Sequence, residues 1–369
     1  MSDAVTALLP ADVPIQLIDQ HGAHAETDSA QAGGYTLPSA ERLVEAYGAL
    51  VTGRRVNDQC NALVRQGRLA VYPSSHGQEA CQVAAALSLG DGDWLFPTYR
   101  DAVAVIGRGV PPLEALVQLR GNWHSGYDPT VYHVAPQATP LATQLLHAVG
   151  FAHAAKLRGE NTVVLALTGD GATSEGDFHE AMNFAGVFHL PVIFLIQNNE
   201  FAISVPLSRQ SAAPSLAHKA VGYGMPGVRV DGNDVAALLA VLGRAVGRAR
   251  AGEGPTLVEA HTYRMQAHTN ADDDTRYRER EEVQRWIERD PLSRVKSYLD
   301  AEGLLGDEIE LGFAEAAEAV AEGLRDATSH EPDLDPAELF AHVYAEQPAT
   351  LRSQWESLQD ELARTEEPA

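Results

Sequence analysis

Residues 162–199 constrain the fold more tightly than any other part of the chain. Thr162–Thr168 is a short Val- and Leu-rich run bounded by polar residues, the pattern of a parallel strand buried on both faces. The loop GDGATSEGD at 169–177 follows, then helical spacing from Glu175 to Phe188, then a second buried run, Val192–Gln197, closed by Asn198-Asn199. A strand, a glycine loop, a helix and a second strand make one unit of a doubly wound sheet. In such sheets ligands sit beyond the carboxyl ends of the strands, where glycines admit an anion close to the backbone.

Asp170 in that loop would repel a bare phosphate, and the arrangement makes chemical sense if a divalent cation lies between carboxylate and phosphate. Asn199 falls 29 positions after Asp170, about one strand–helix–strand repeat, so the two side chains are expected to converge on one ion. A carboxylate and an amide, both oxygen donors, suit Mg²⁺ better than a soft metal. An isolated Gly-Asp-Gly is equally compatible with a helix cap. Other nucleotide motifs fail: Ser174 stands where a dinucleotide fingerprint needs its third glycine, and no Gly-Lys pair exists for a P-loop.

Further strand-like runs at Gly227–Val230 and Thr256–Ala260 flank an Ala-rich helix at about 234–251. Upstream, Pro38-Ser39-Ala40-Glu41 is a helix start with helical spacing to about Gln66; Gly77–Leu89, Gly107–Gly126 and Pro140–Leu157 are also expected to be helical, and Tyr127–Thr139 a loop. After Asp272 the chain is charged and helical, clearest at Arg280–Asp300 and Glu308–Thr328. The expected organisation is an extended N-terminal arm at 1–38, an α/β domain at 39–270 with a mostly parallel sheet flanked by helices, and a helical C-terminal extension at 271–369.

The formal charge of −24 opposes non-specific binding to nucleic acid or an anionic membrane. Two cysteines, Cys60 and Cys81, cannot build a disulfide framework or zinc ribbon, and are expected to be buried. No basic start with an apolar run marks a signal peptide, and no apolar run is long enough to span a bilayer, so cytoplasm is the expected setting.

Three segments then point to a family. GDGATSEGDFHEAMNFAGVFHLPVIFLIQNNEFAIS at 169–204, TYRDAVAVIGRG at 98–109 and TYRMQAHTNADDDTRYR at 262–278 resemble the α subunits of thiamine-diphosphate-dependent 2-oxo acid dehydrogenases. The first also resembles the general thiamine-diphosphate motif. The resemblance implies a thiamine-diphosphate-binding fold from about residue 40 to 300. By position it implies Asp170, Asn199 and the Phe201 carbonyl as Mg²⁺ ligands, and Gly171 and Ala172 as backbone contacts to the diphosphate. Tyr99 and Arg100 match the pair that holds the diphosphate; Thr139 and Leu141 match the segment that meets the aminopyrimidine. His268 matches a loop histidine near the reacting substrate and is the expected catalytic residue. Gln197 stands where some branched-chain relatives carry an arginine.

The same resemblance implies a partner β subunit that supplies the activating glutamate, a heterotetramer of two α and two β chains, and acyl transfer to the lipoyl domain of a dihydrolipoyl acyltransferase core. A small 2-oxo acid is the expected substrate. The segment Val71–Glu79 lacks a Phe-x-His-Leu pattern associated with pyruvate-specific relatives, which favours branched-chain 2-oxo acids such as 3-methyl-2-oxobutanoate over pyruvate. An acetoin-type or transketolase-like thiamine enzyme and a non-catalytic partner subunit are the further alternatives. His76, His124, His133, His147, Val71 and Tyr72 are weaker candidates for the cleft. Asp272-Asp273-Asp274 is read as a solvated loop or cap rather than a metal cluster, and Thr269 as an unmodified loop residue.

Overall fold

In the computed structural model, residues 8–25, 34–121, 126–330 and 335–366 are described; His124 lies outside them. Five strands form one parallel sheet: β1 (Trp94–Phe96), β2 (Val164–Gly169), β3 (Val192–Asn198), β4 (Gly227–Asp231) and β5 (Thr256–His261), in the order β1-β2-β3-β5-β4. Val164 pairs with Val192 and Gly169 with Gln197, so the β2 and β3 tips end level with each other. β1, only three residues between Asp93 and Pro97, carries no period that the sequence reading could detect.

Alternation along the strands feeds two cores. Leu165, Leu167, Ile193, Leu195 and Val258 point to one, while Val164, Ala166, Phe194, Ile196 and Leu257 point to the other. Both faces being covered explains why β2 and β3 read as continuous apolar runs. The first core is roofed by α1 (Ala40–Arg65), α2 (Glu79–Ser88) and, later in the chain, α5 (Val235–Arg250). The second is roofed by α3 (Thr143–Leu157) and α4 (Gly176–Val187). Caps set two of these starts, the first of them expected from the sequence. Ser39 Oγ accepts from Arg42 N at 3.3 Å, and Asp234 accepts from Ala236 N and Ala237 N.

Two helical expectations need correction. Gly107–Gly126 is not one helix: a helix ends at Gly107, Gly109 turns left-handed at φ 92°, and a new short helix starts at Pro112 behind Pro111. Proline removes the amide that would continue the ladder. Arg280–Asp300 is likewise split, into Arg280–Ile287 and α6 (Pro291–Ala301), where Asp290 caps a proline-started helix. The Tyr127–Thr139 loop also contains a short helix, Pro129–Tyr132.

The chain ends fold back onto the sheet domain. Ile15 lies parallel beside Val230 at the β4 edge, and Val295, Tyr298 and Leu299 of α6 enter the first core. α7 (Asp307–Ala327) lies along α1, with the Phe313 and Tyr47 rings edge-to-face at 5.9 Å. Cys60 and Cys81 are both buried and unpaired. Among the described residues no helix is long and apolar enough to cross a membrane.

Candidate functional site

Loops leaving the carboxyl ends of β1, β2, β3 and β5 meet around one cavity, the place where open α/β sheets hold their ligands. Its walls include Tyr99 and Arg100 after β1, Asp170, Gly171 and Ala172 after β2, Asn199 and Phe201 after β3, and Arg264 and His268 after β5. Leu141 completes the wall from the turn before α3, where Ala142 has φ 64°. Nine of the residues singled out from sequence are thus brought together. Thr139 is exposed and lies between the wall residues Ala138 and Pro140.

Asp170 and Asn199 lie in the same wall. The Asp170 carboxylate, 1% exposed, accepts from Gln210 Nε2 at 2.8 Å. Burial pushes its pKa upward, as expected of a charge taken out of water. The capping alternative does not hold, because Asp170 makes no side-chain bond to the turn that follows. That turn, Gly171–Ser174, is a separate 3₁₀ piece, and Glu175 is extended before α4 begins. A β-carbon on Gly169 would meet nothing within 4 Å, whereas one on Gly171 would lie 2.7 Å from Ala202 Cβ. Glycine at 171 therefore permits close approach of a neighbouring loop.

The same wall carries two buried guanidiniums. Arg100 donates to Ser74 O at 2.8 Å and to His268 O at 3.1 Å; Arg264 donates to Ile203 O at 2.7 Å and to Tyr277 Oη at 2.8 Å. Among the described residues neither has a carboxylate within 4 Å, and Arg264 Nε lacks a partner. Buried cations without acids are costly, and their planar forks suit an anion with several oxygens.

Both guanidiniums also reach His268 Nδ1, at 3.0 Å from Arg100 and 3.4 Å from Arg264. Arginine cannot accept, so Nδ1 is the acceptor and the ring proton belongs on Nε2. Burial, then Arg100 and Arg264, hold the His268 pKa down at about 4. Asp272 accepts from His268 N at 2.9 Å and from the Tyr277 hydroxyl, while Asp273 caps Thr275 and Asp274 pairs with Arg278. The acidic run serves its loop, as expected. Among the described residues no group of three or more His, Cys, Asp or Glu could hold a metal.

Several wall residues escaped the sequence reading. Arg264 repeats, as Tyr263-Arg264, the dipeptide Tyr99-Arg100, and that repetition was the available signal. Gln78 Oε1 accepts from Asn199 Nδ2 at 3.1 Å, and Gln78 Nε2 is buried without a partner. Gln197, already noted from the sequence, lines the cavity too and donates to the buried Asp101 at 2.6 Å. Unpartnered buried atoms on Gln144 and Thr168 lie in the same wall. The weaker candidates lie elsewhere: His76 is 3.3 Å from Asp58, His133 stacks on Trp94, His147 is exposed on α3, and Tyr72 is buried against Asn57.

The family model described as dehydrogenase E1 component matches residues 48–335. The chain is 50% identical over 353 residues, 96% of its own length and 95% of the relative's, to a 3-methyl-2-oxobutanoate dehydrogenase subunit alpha of Mycobacterium tuberculosis. It is 38% identical over 346 residues, 93% and 91% of the two chains, to a pyruvate dehydrogenase E1 component subunit alpha of Staphylococcus aureus. The chain therefore belongs to the dehydrogenase E1 component family.

Proposed function

We propose that the chain is the α subunit of a thiamine-diphosphate-dependent 2-oxo acid dehydrogenase acting on branched-chain 2-oxo acids such as 3-methyl-2-oxobutanoate. One observation carries the reading: a single cavity is lined by two buried guanidiniums, neither within 4 Å of a carboxylate among the described residues, and by the buried carboxylate of Asp170. That polarity fits a diphosphate bound through a divalent ion. Asp170, Asn199 Oδ1 and the Phe201 carbonyl would hold Mg²⁺. Tyr99, Arg100 and the backbone at Gly171 and Ala172 would hold the diphosphate, with Arg264 as an added cation. Leu141 and Thr139 would meet the aminopyrimidine.

When bound, thiamine diphosphate supplies a carbon nucleophile that adds to the 2-oxo carbon and takes up electrons as CO₂ leaves. The chain's own residues bind and orient. Neutral His268 keeps its proton at Nε2 and adds no positive charge beside the two guanidiniums. Among the described wall residues Asp170 is the sole carboxylate and no glutamate is present. This supports an activating glutamate from a β subunit, in a heterotetramer that passes the acyl group to the lipoyl domain of a dihydrolipoyl acyltransferase. Two unpaired, buried thiols suit a reducing cytoplasm. The 50% identity to the 3-methyl-2-oxobutanoate enzyme, against 38% for the pyruvate enzyme, favours the branched-chain substrate.

Steady-state kinetics on the chain co-expressed with its β subunit tests the reading. The kcat/KM for 3-methyl-2-oxobutanoate should exceed that for pyruvate by about tenfold or more, with Asp170→Ala as the inactive control. A higher value for pyruvate would move the assignment to the pyruvate enzyme. Full turnover by the α chain alone would end the β-subunit requirement.

A further inference from the structure

Three of the five non-glycine residues with positive φ among those described sit at the cavity. Ala142 and Ile203 are in its wall, and Glu200 lies between the wall residues Asn199 and Phe201. Glu200, at φ 74°, has the largest positive φ of the five. A residue with a β-carbon keeps such a backbone only where its surroundings impose it.

The Glu200 surroundings are specific. Its Oε1 lies 2.5 Å from Nε2 of His261, the last residue of β5. His261 is packed edge-on against Trp286, with centroids 5.4 Å apart, and Trp286 stacks on Tyr263. On the backbone, Leu207 N donates to Glu200 O at 2.9 Å and Glu200 N donates to Asn198 Oδ1 at 3.3 Å. The neighbours on both sides depend on this turn. Asn199 shares the cavity wall with Asp170, and its Oδ1 accepts from Phe201 N at 3.3 Å.

We infer that His261 is a positioning residue for the cofactor site: by gripping Glu200 it fixes the left-handed turn that sets Asn199 and Phe201 in the cavity wall beside Asp170. The inference rests on the functional reading above and adds to it a residue that touches neither cofactor nor substrate. A histidine at the end of one strand thereby governs two prospective cation ligands beyond the end of the next.

The test uses the full chain co-expressed with its β subunit, with binding of thiamine diphosphate and Mg²⁺ read by calorimetry for wild type, His261→Ala, Glu200→Gly and the double variant. His261→Ala should weaken binding about tenfold. Glycine holds a left-handed turn without help, so the double variant should bind within about twofold of Glu200→Gly alone. An equal loss in both backgrounds would overturn the inference, since it would mean that His261 merely supports Trp286. Undiminished binding by His261→Ala would overturn it too. Thermal unfolding identifies a variant that fails to fold, and His261→Gln, which keeps a donor for Glu200, then replaces His261→Ala in both backgrounds, with wild-type-like affinity expected in each and a loss common to both overturning the inference. If wild type binds no thiamine diphosphate, the functional reading fails. A crystal structure of His261→Ala then decides the inference: loss of the left-handed backbone at residue 200 supports it, and retention overturns it.

Discussion

His268 shows how two cations set the state of a third base. Its ordinary pKa of 6.5 falls to about 4, first by burial and then by Arg100 and Arg264. The unfolded chain takes up this proton at the ordinary value, while the folded chain resists it until about pH 4. The stability tied to neutral His268 is therefore complete above pH 6.5 and is lost as pH falls through that interval. Arg100→Gln removes one of the two cations, and the His268 midpoint, followed by ring NMR, should rise towards 6.5. A midpoint that stays put would show that burial and Arg264 suffice without Arg100. Asp170 follows the opposite logic. Burial raises its pKa, so the charged form opposes folding as pH rises through that raised value, and a bound cation would relieve the opposition.

At the scale of elements, the site depends on helices packed closely enough to hold the strand tips level. Gly186 in α4 approaches the 216–223 turn so closely that a β-carbon would run into the Tyr223 carbonyl oxygen. Gly186→Ala gains about 1 kcal/mol of helix propensity. It also forces a backbone shift, and such overpacking costs about 1–3 kcal/mol. The expected outcome is a net loss of about 1 kcal/mol, measured by urea unfolding. An alanine variant at least as stable as wild type would show that α4 is free to move away from the turn. Gly150 in α3 meets nothing within 4 Å, so alanine there has no such penalty.

Across the whole molecule, three distant segments are tied by one buried cation. Arg294 of α6 is 2.9 Å from Asp231 at the end of β4 and 3.7 Å from Asp234 at the start of α5, and it donates to Ile18 O. Asp234 in turn accepts from Leu17 N and Ile18 N at 2.7 and 2.8 Å. The N-terminal segment, the sheet edge and the C-terminal helices are joined there. Arg294→Met leaves buried acid without its counter-charge and should cost about 3 kcal/mol. Urea unfolding measures the loss, and faster proteolysis within residues 8–25 would localise it. An unchanged midpoint would show that the capping amides alone satisfy Asp234.

Much of this protein was legible in the sequence because its decisive signals are local. Continuous apolar runs at β2 and β3 specified a sheet covered on both faces, and Gly-Asp-Gly followed at one repeat by Asn-Asn specified where two strand tips carry polar groups. The capped helices α1 and α5 were equally plain, since a cap and its helix are neighbours in the chain. The break at Gly109 and Pro111 was overridden by helical spacing on either side. What only tertiary structure decided was convergence: that Arg264 and Arg100 share His268, that Gln78 reaches Asn199, and that His261 grips Glu200. Except for Arg264 with His268, those contacts join residues far apart in the chain, and a buried charge or a left-handed glutamate acquires its meaning from the groups packed around it.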